Sequence, residues 1–164
     1  MTVDEKTFRE AMRFWTTGVT IATTWLGGLQ RGLTVSSFTS VSVAPPVVLV
    51  SINRFSRSHQ MIQQAGIYAV TILEESQQAL ASRFAGLVPE EEDRFTGVAT
   101  HTLATGCPIL EGGVASFDCR VIQSVDVGDN TIFLGEVLAA EYHEKRQPLL
   151  YSNRAYQTLK DGQG

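Results

Sequence analysis

The stretch that most constrains this chain is "GGVASFDCRVIQSVDVGDNTIFLGEVLAAEYHE", from Gly112 to Glu144. Both halves are rich in β-branched and apolar residues, and the Gly128-Asp129-Asn130 triplet between them has turn chemistry. That is the layout of a long hairpin, and a hairpin commits its strands to antiparallel pairing. Other segments fit the same architecture. "TGVTIATTW" reads as a strand closed by Gly27 and Gly28, and "IYAVTIL" as another. "PPVVLVSI" is a nearly unbroken β-branched run, expected as a central strand buried on both faces.

Helical spacing occurs in three places. Phe8, Ala11, Met12 and Trp15 fall on one stripe near the start, with Thr2 and Glu5 spaced as a capping box. "SRSHQMIQQAG" stops on Gly66. "SQQALASRFAG" has Ser76 near its start, Leu80 and Phe84 one turn apart, and Gly86 past its end. "LVPEEEDRFTG" is expected as a solvated loop, and "PLLYSNRAYQTL" as a short tail. This order is neither the alternation of a doubly wound sheet nor a helical bundle. A mainly β fold, an antiparallel barrel with peripheral helices, is expected as a single domain over residues 1–164.

Composition narrows the function classes. Charged residues are only 18% against 43% hydrophobic, a balance that leaves surface easily given to a subunit partner. The net charge is −4 and no basic run exists, which speaks against a nucleic-acid binder. No apolar stretch is long enough to span a membrane, and "MTVDEKTFRE" lacks the layout of a secretory signal, so the cytoplasm is the expected location. Cys107 and Cys119 form no CxxC pair; a disulfide stays open, with two reduced buried thiols the commoner case. His59, His101 and His143 lack metal-site spacing, and no metal is expected.

Two neighbouring stretches carry candidate chemistry. "GLTVSSFTSVSVAPP" packs six hydroxyl residues into positions 34–42, reads as one strand, and ends on Pro45 and Pro46. With a two-residue period, one face shows Thr34, Ser36, Phe38, Ser40 and Ser42. Small hydroxyl side chains let a flat polar ligand approach the backbone; an edge strand with locally bonded serines is the plainer alternative. "SINRFSRSH" lies where a buried strand ends and a helix begins. Helix N-terminal amides, Arg54, Arg57, Ser56 and Ser58 are the parts that hold a phosphate, although Ser56 or Ser58 could equally be a cap. "SRFAG" and the Gly-Asp-Asn turn carry little signal alone. The chain has no GxGxxG after a strand, no phosphate-binding loop of the Walker type and no GxSxG elbow. Demanding chemistry would therefore belong to a cofactor.

In order and spacing, "TGVTIATT", "GLTVSSFTSVSVAPPVVLVSINRFSRSH", "LASRFAG" and "GDNTIFLGEV" resemble the flavin reductase family of the FMN-binding split barrel. Within it the chain looks like the small reductase components of two-component flavin-dependent monooxygenases, from Phe8 to Tyr156. The resemblance implies a homodimeric split barrel that binds FMN or FAD near the subunit interface. It implies hydride transfer from NADH or NADPH, with no catalytic residue in the usual sense. Thr34, Ser36 and Ser37 would face the flavin ring. Ser51, Asn53, Ser56 and Ser58, with Arg57 nearby, would follow the ribityl chain and phosphate, while Arg83, Phe84 and Ala85 close the phosphate side. Pro45 and Pro46 would turn the chain away from this platform. Asp129, Asn130, Arg154 and Tyr156 would line the nicotinamide side.

One departure stands out: the family usually has Gly-Asp-His where this chain has Gly128-Asp129-Asn130. Asparagine cannot become a cation, which bears on the nicotinamide more than on the flavin. It also keeps open a non-catalytic flavin store or sensor on the same barrel. A split-barrel enzyme acting on another small molecule is the further alternative.

Overall fold

The computed structural model describes residues 2–87 and 93–160. Of the expected solvated loop, residues 88–92 lie outside the described residues. The chain runs α1 (Glu5–Met12), β1 (Thr17–Gly18), β2 (Thr20–Leu26), β3 (Leu29–Val35), β4 (Thr39–Val43), β5 (Pro46–Asn53), α2 (Arg57–Ala65) and β6 (Ile67–Ile72). A short 3-10 turn, Glu75–Gln77, then leads into α3 (Gln78–Ser82) and a wide turn, Arg83–Leu87. Next come β7 (Thr100–His101), β8 (Ile109–Leu110), β9 (Ala115–Val127), β10 (Asn130–Tyr142), β11 (Leu150–Ser152) and β12 (Ala155–Gln157). The protein is mainly β with helices on the outside.

The order of the main sheet forces its shape. Seven strands pair antiparallel as β3-β2-β6-β9-β10-β5-β4. Its two edge strands, β3 and β4, are consecutive in sequence and joined only by Ser36, Ser37 and Phe38. Laid flat, six gaps of about 4.8 Å would separate those edges by roughly 29 Å. Four Cα steps from Val35 to Thr39 reach at most about 14 Å. The sheet must therefore curl until its edges approach, which makes it an antiparallel barrel split at that seam.

This corner corrects the expectation of one continuous hydroxyl strand. Gly32–Val35 pairs with β2, whereas Thr39–Val43 pairs with β5, and the alternation of faces does not pass through Ser36–Phe38. Ser37 marks the change of partner, because its hydroxyl donates to Ser51 O and accepts from Ser51 N, both at 2.9 Å. Phe38 packs against Phe117 with ring centroids 5.4 Å apart. Pro45 follows a cis bond in the β4–β5 turn, and Pro46 begins β5. β5 buries Val47, Val48, Val50 and Ile52, and lies between β10 and edge strand β4.

The long hairpin forms as expected, turning at Gly128 and Asp129. The β6–β9 ladder ends at Arg120, with one last bond from the Val121 amide to Gly66 O at 2.9 Å, so residues 123–127 pair with β10 alone. Ile122, Val125 and Val127 stay exposed there. At the N-terminus the expected capping box is replaced: Asp4 caps α1, accepting from the Thr7 amide at 3.0 Å and the Thr7 hydroxyl at 2.7 Å. α1 buries none of its residues, and Trp15 beyond it is 70% exposed. Ser76 likewise yields the expected helix start to Glu74, which makes a reciprocal capping box with Gln77. Cys107 and Cys119 are free, buried thiols. Among the described residues no helix is long and apolar enough to cross a membrane.

Candidate functional site

The junction after β5 is built by short side chains that bond back to their own backbone. Asn53 Oδ1 accepts from the Phe55 amide at 2.9 Å, an Asx turn. Ser56 is the N-cap of α2: its hydroxyl donates to Asn53 O at 2.9 Å and accepts from the His59 amide at 3.1 Å. Both side chains are committed to local structure. Ser58 is different. It is 6% exposed, and its hydroxyl makes no hydrogen bond to a described residue.

Ser56, Arg57 and Ser58 line a cavity whose opposite wall is β3, from Gln30 to Leu33. Asp93, Arg94 and Phe95 also line it, so that among the described residues three arginines, Arg31, Arg57 and Arg94, share the cavity with one aspartate. Arg94 is fixed by its Nη1, which donates to Phe84 O at 3.1 Å and Gly32 O at 3.3 Å. Gly32 is needed for this closeness, since a Cβ there would lie 2.7 Å from the Phe84 ring. Phe84 is buried and meets Phe95 edge-on at 5.0 Å. Arg83 turns toward the loop, its Nη1 donating to Thr96 O at 2.9 Å.

A second cleft continues along the same strand. Thr34, Val35 and Ser36 line it with Val19, Ala85, Tyr151 and Tyr156. The Thr34 hydroxyl donates to Ala81 O at 2.7 Å, so it is already used, as is that of Ser37. Ser36 is exposed and its hydroxyl has no partner among the described residues. Tyr151 and Tyr156 stack edge-on at 5.5 Å on the opposite side.

The four residues expected on the nicotinamide side separate into two places. Asp129 and Asn130 lie beside the end of β5, with the Arg54 amide donating to Asp129 O at 2.8 Å and Asn130 in register with Asn53. Arg154, in a left-handed turn with Asn153, pairs with Glu10 of α1. Tyr156 alone of the four lines a cavity described above. Sequence reasoning missed Arg94, which hides in an acidic segment, and Gln30, Arg31 and Tyr151, which carry no motif. Burial pushes the Cys107 and Cys119 thiols up to about 11 and about 12, which leaves no thiolate for nucleophilic work.

A pocket lined, among the described residues, by three arginines, one aspartate and the Ser58 hydroxyl suits a phosphate, and the cleft that continues from it along β3 suits a ring. A model of the flavin reductase like domain matches residues 12–160. An FMN reductase (NADH) from Ancylobacter novellus is 36% identical over 157 residues, 96% of this chain and 86% of that protein. An NADH:FAD oxidoreductase from Streptomyces globisporus, solved with NAD and FAD fragments, superposes with a TM-score of 0.91 at 33% identity, covering 100% of this chain and 99% of that one. The styrene monooxygenase flavin reductase of Pseudomonas putida gives 0.83 at 33% identity over 93% and 97%. With the split barrel and its two consecutive clefts, these matches lead to one conclusion: the chain belongs to the flavin reductase-like domain family.

Proposed function

We propose that this protein is an NAD(P)H:flavin oxidoreductase that moves hydride from NADH or NADPH to FMN or FAD. Reduced flavin then passes to a partner flavin-dependent monooxygenase. The observation that carries the reading is Ser58, a residue 6% exposed whose hydroxyl has no described partner, lining a cavity with three arginines at the N-terminus of a nine-residue helix. β3 runs from that cavity into the Ser36–Tyr156 cleft. A ligand with a phosphate at one end and a flat ring at the other can lie along this one strand.

When the two cofactors are bound, nicotinamide supplies the hydride and the flavin ring accepts it, so the chain need provide no nucleophile. Its task is placement. Ser36 offers a free hydroxyl to the polar edge of the ring, where negative charge develops. Thr34 and Ser37 contribute backbone groups, their hydroxyls being committed elsewhere. Ser51, Asn53 and Ser56 shape the turn that would carry the ribityl chain; Ala85 lines the ring cleft, and the buried Phe84 supports β3 from behind Gly32. Tyr156 and Tyr151 flank the nicotinamide side, for which Asp129, Asn130 and Arg154 are also proposed.

A homodimer is part of this reading. Beyond the Val121 amide, which donates to Gly66 O, the β6-facing edge of residues 122–127 has no backbone partner among the described residues, and Ile122, Val125 and Val127 are exposed on that segment. A second copy covers such a patch. A cytoplasmic setting, expected from the sequence, goes with a nicotinamide-dependent reaction. The monooxygenase partner is supported by the names of similar proteins, such as the styrene monooxygenase flavin reductase.

The test mixes the protein with FMN or FAD and NADH or NADPH, and follows nicotinamide oxidation with and without oxygen. Rapid flavin-dependent oxidation supports the reductase and identifies both substrates. Tight flavin binding without oxidation points instead to a store or sensor, for which Asn130 is the reason.

A further inference from the structure

A polar chain that starts on two buried side chains, His59 and Thr131, and ends on the exposed Asp126 joins the proposed phosphate turn to the hairpin tip. His59, in the first turn of α2, is 5% exposed, and its ring packs on Phe133 at 5.2 Å. Its Nε2 lies 2.8 Å from Thr131 Oγ1, and that buried hydroxyl lies 2.6 Å from Asp126 Oδ1. A hydroxyl has one proton to donate, and an ionised carboxylate only accepts. Thr131 therefore donates to Asp126 and accepts from His59, which assigns the neutral ring as the Nε2–H tautomer. Nδ1 is then a buried acceptor with no partner among the described residues.

An orphaned buried acceptor is costly, and an apolar ring would fill the same space against Phe133 without it. The chain reaches further. Asp126 Oδ2 pairs with Arg54 at 3.4 Å, and the Arg54 amide donates to Asp129 O. His59 is also held through its backbone, whose amide donates to the Ser56 cap. Its neighbour Ser58 is the hydroxyl assigned to the phosphate. Fixing the His59 ring and amide together sets the direction in which Ser58 points.

We propose that His59 is a positioning residue: through Thr131 and Asp126 it anchors the first turn of α2 to the β9–β10 hairpin and so aims Ser58 at the flavin phosphate. This rests on the phosphate reading above.

The experiment titrates wild type, His59→Phe, Thr131→Val and His59→Gln with FMN and with riboflavin, which lacks the phosphate, by flavin fluorescence. His59→Phe and Thr131→Val are expected to weaken FMN about five- to twentyfold and riboflavin by under about twofold, the scale of one misdirected charge-assisted hydrogen bond. His59→Gln, whose side-chain amide can donate to Thr131 in place of Nε2, recovers most of the loss. Equal weakening of both flavins, or none, overturns the proposal. If wild type binds FMN and riboflavin alike, the phosphate reading itself fails. If wild type discriminates and both variants still do, only the anchoring role fails. Proton–nitrogen correlation spectra of the histidine rings in wild type avoid dependence on any variant's folding. They must show the Nε2–H tautomer at His59 and shift with FMN but not riboflavin; an Nδ1–H ring, or one indifferent to FMN, refutes the idea.

Discussion

Ser58→Ala and Ser56→Ala look like equivalent changes in the sequence, and the structure predicts opposite effects. The Ser56 hydroxyl makes two bonds within the protein and caps α2. Its loss costs about 1 kcal/mol of stability, a fall of roughly 2–4 °C in Tm for a chain of this size. The Ser58 hydroxyl has no described partner, so truncating it orphans nothing and leaves stability near the wild-type value. If it donates to the flavin phosphate, the lost charge-assisted bond is worth about 1.5–3 kcal/mol, or roughly 10- to 150-fold in FMN affinity. Riboflavin affinity should hardly move. Thermal unfolding gives the stability of each variant, and fluorescence titration gives both flavin affinities. A Ser58→Ala protein that melts earlier yet keeps its FMN affinity would refute the reasoning, because the hydroxyl would then serve the fold.

Asn130→His should change the KM for NADH while leaving flavin affinity within about threefold, the scale of an exposed substitution; equal changes in both would make the tip purely structural. Burial holds His59 below the ordinary histidine value of 6.5, with Asp126 partly opposing and Arg54 reinforcing that shift. As pH falls below 6.5 the unfolded chain takes up this proton before the folded one does. The contribution of His59 to stability is thus full above that value and declines beneath it. The stability advantage of wild type over His59→Gln in urea should shrink between pH 7 and 5, and a constant difference would count against the buried neutral ring. Val125→Glu places a charge on the exposed apolar edge of β9 and should convert a dimer to monomer in sedimentation; unchanged mass would move the interface elsewhere.

The elements were legible because their signals are local. The long hairpin, the β-branched β5, the α2 helix with its Gly66 stop and the Ser56 cap all follow from patterns within a few residues. Helix starts were less so: Asp4 and Glu74 displaced Thr2 and Ser76, since several nearby polar side chains can compete for the same amides. The candidate site divided in the same way. Its segments could be named from order and spacing, but the job of each hydroxyl could not. Thr34, Ser37 and Ser56 donate to backbone carbonyls 47, 14 and 3 residues away in the chain, while Ser58 and Ser36 do not. Residue type says that a hydroxyl can donate; only the neighbours decide to what.

By itself, then, the sequence determined an antiparallel, mainly β chain with a turn rich in phosphate-holding groups, because periodicity and turn chemistry are properties of the local backbone. Only the tertiary structure decided that the hydroxyl stretch is a corner between two edges of one curled sheet. It also decided that Arg31 and Arg94 share a pocket with α2, and that His59 reaches across to Asp126. Those outcomes depend on which strands become neighbours, a matter of long-range closure that no short window of residues contains.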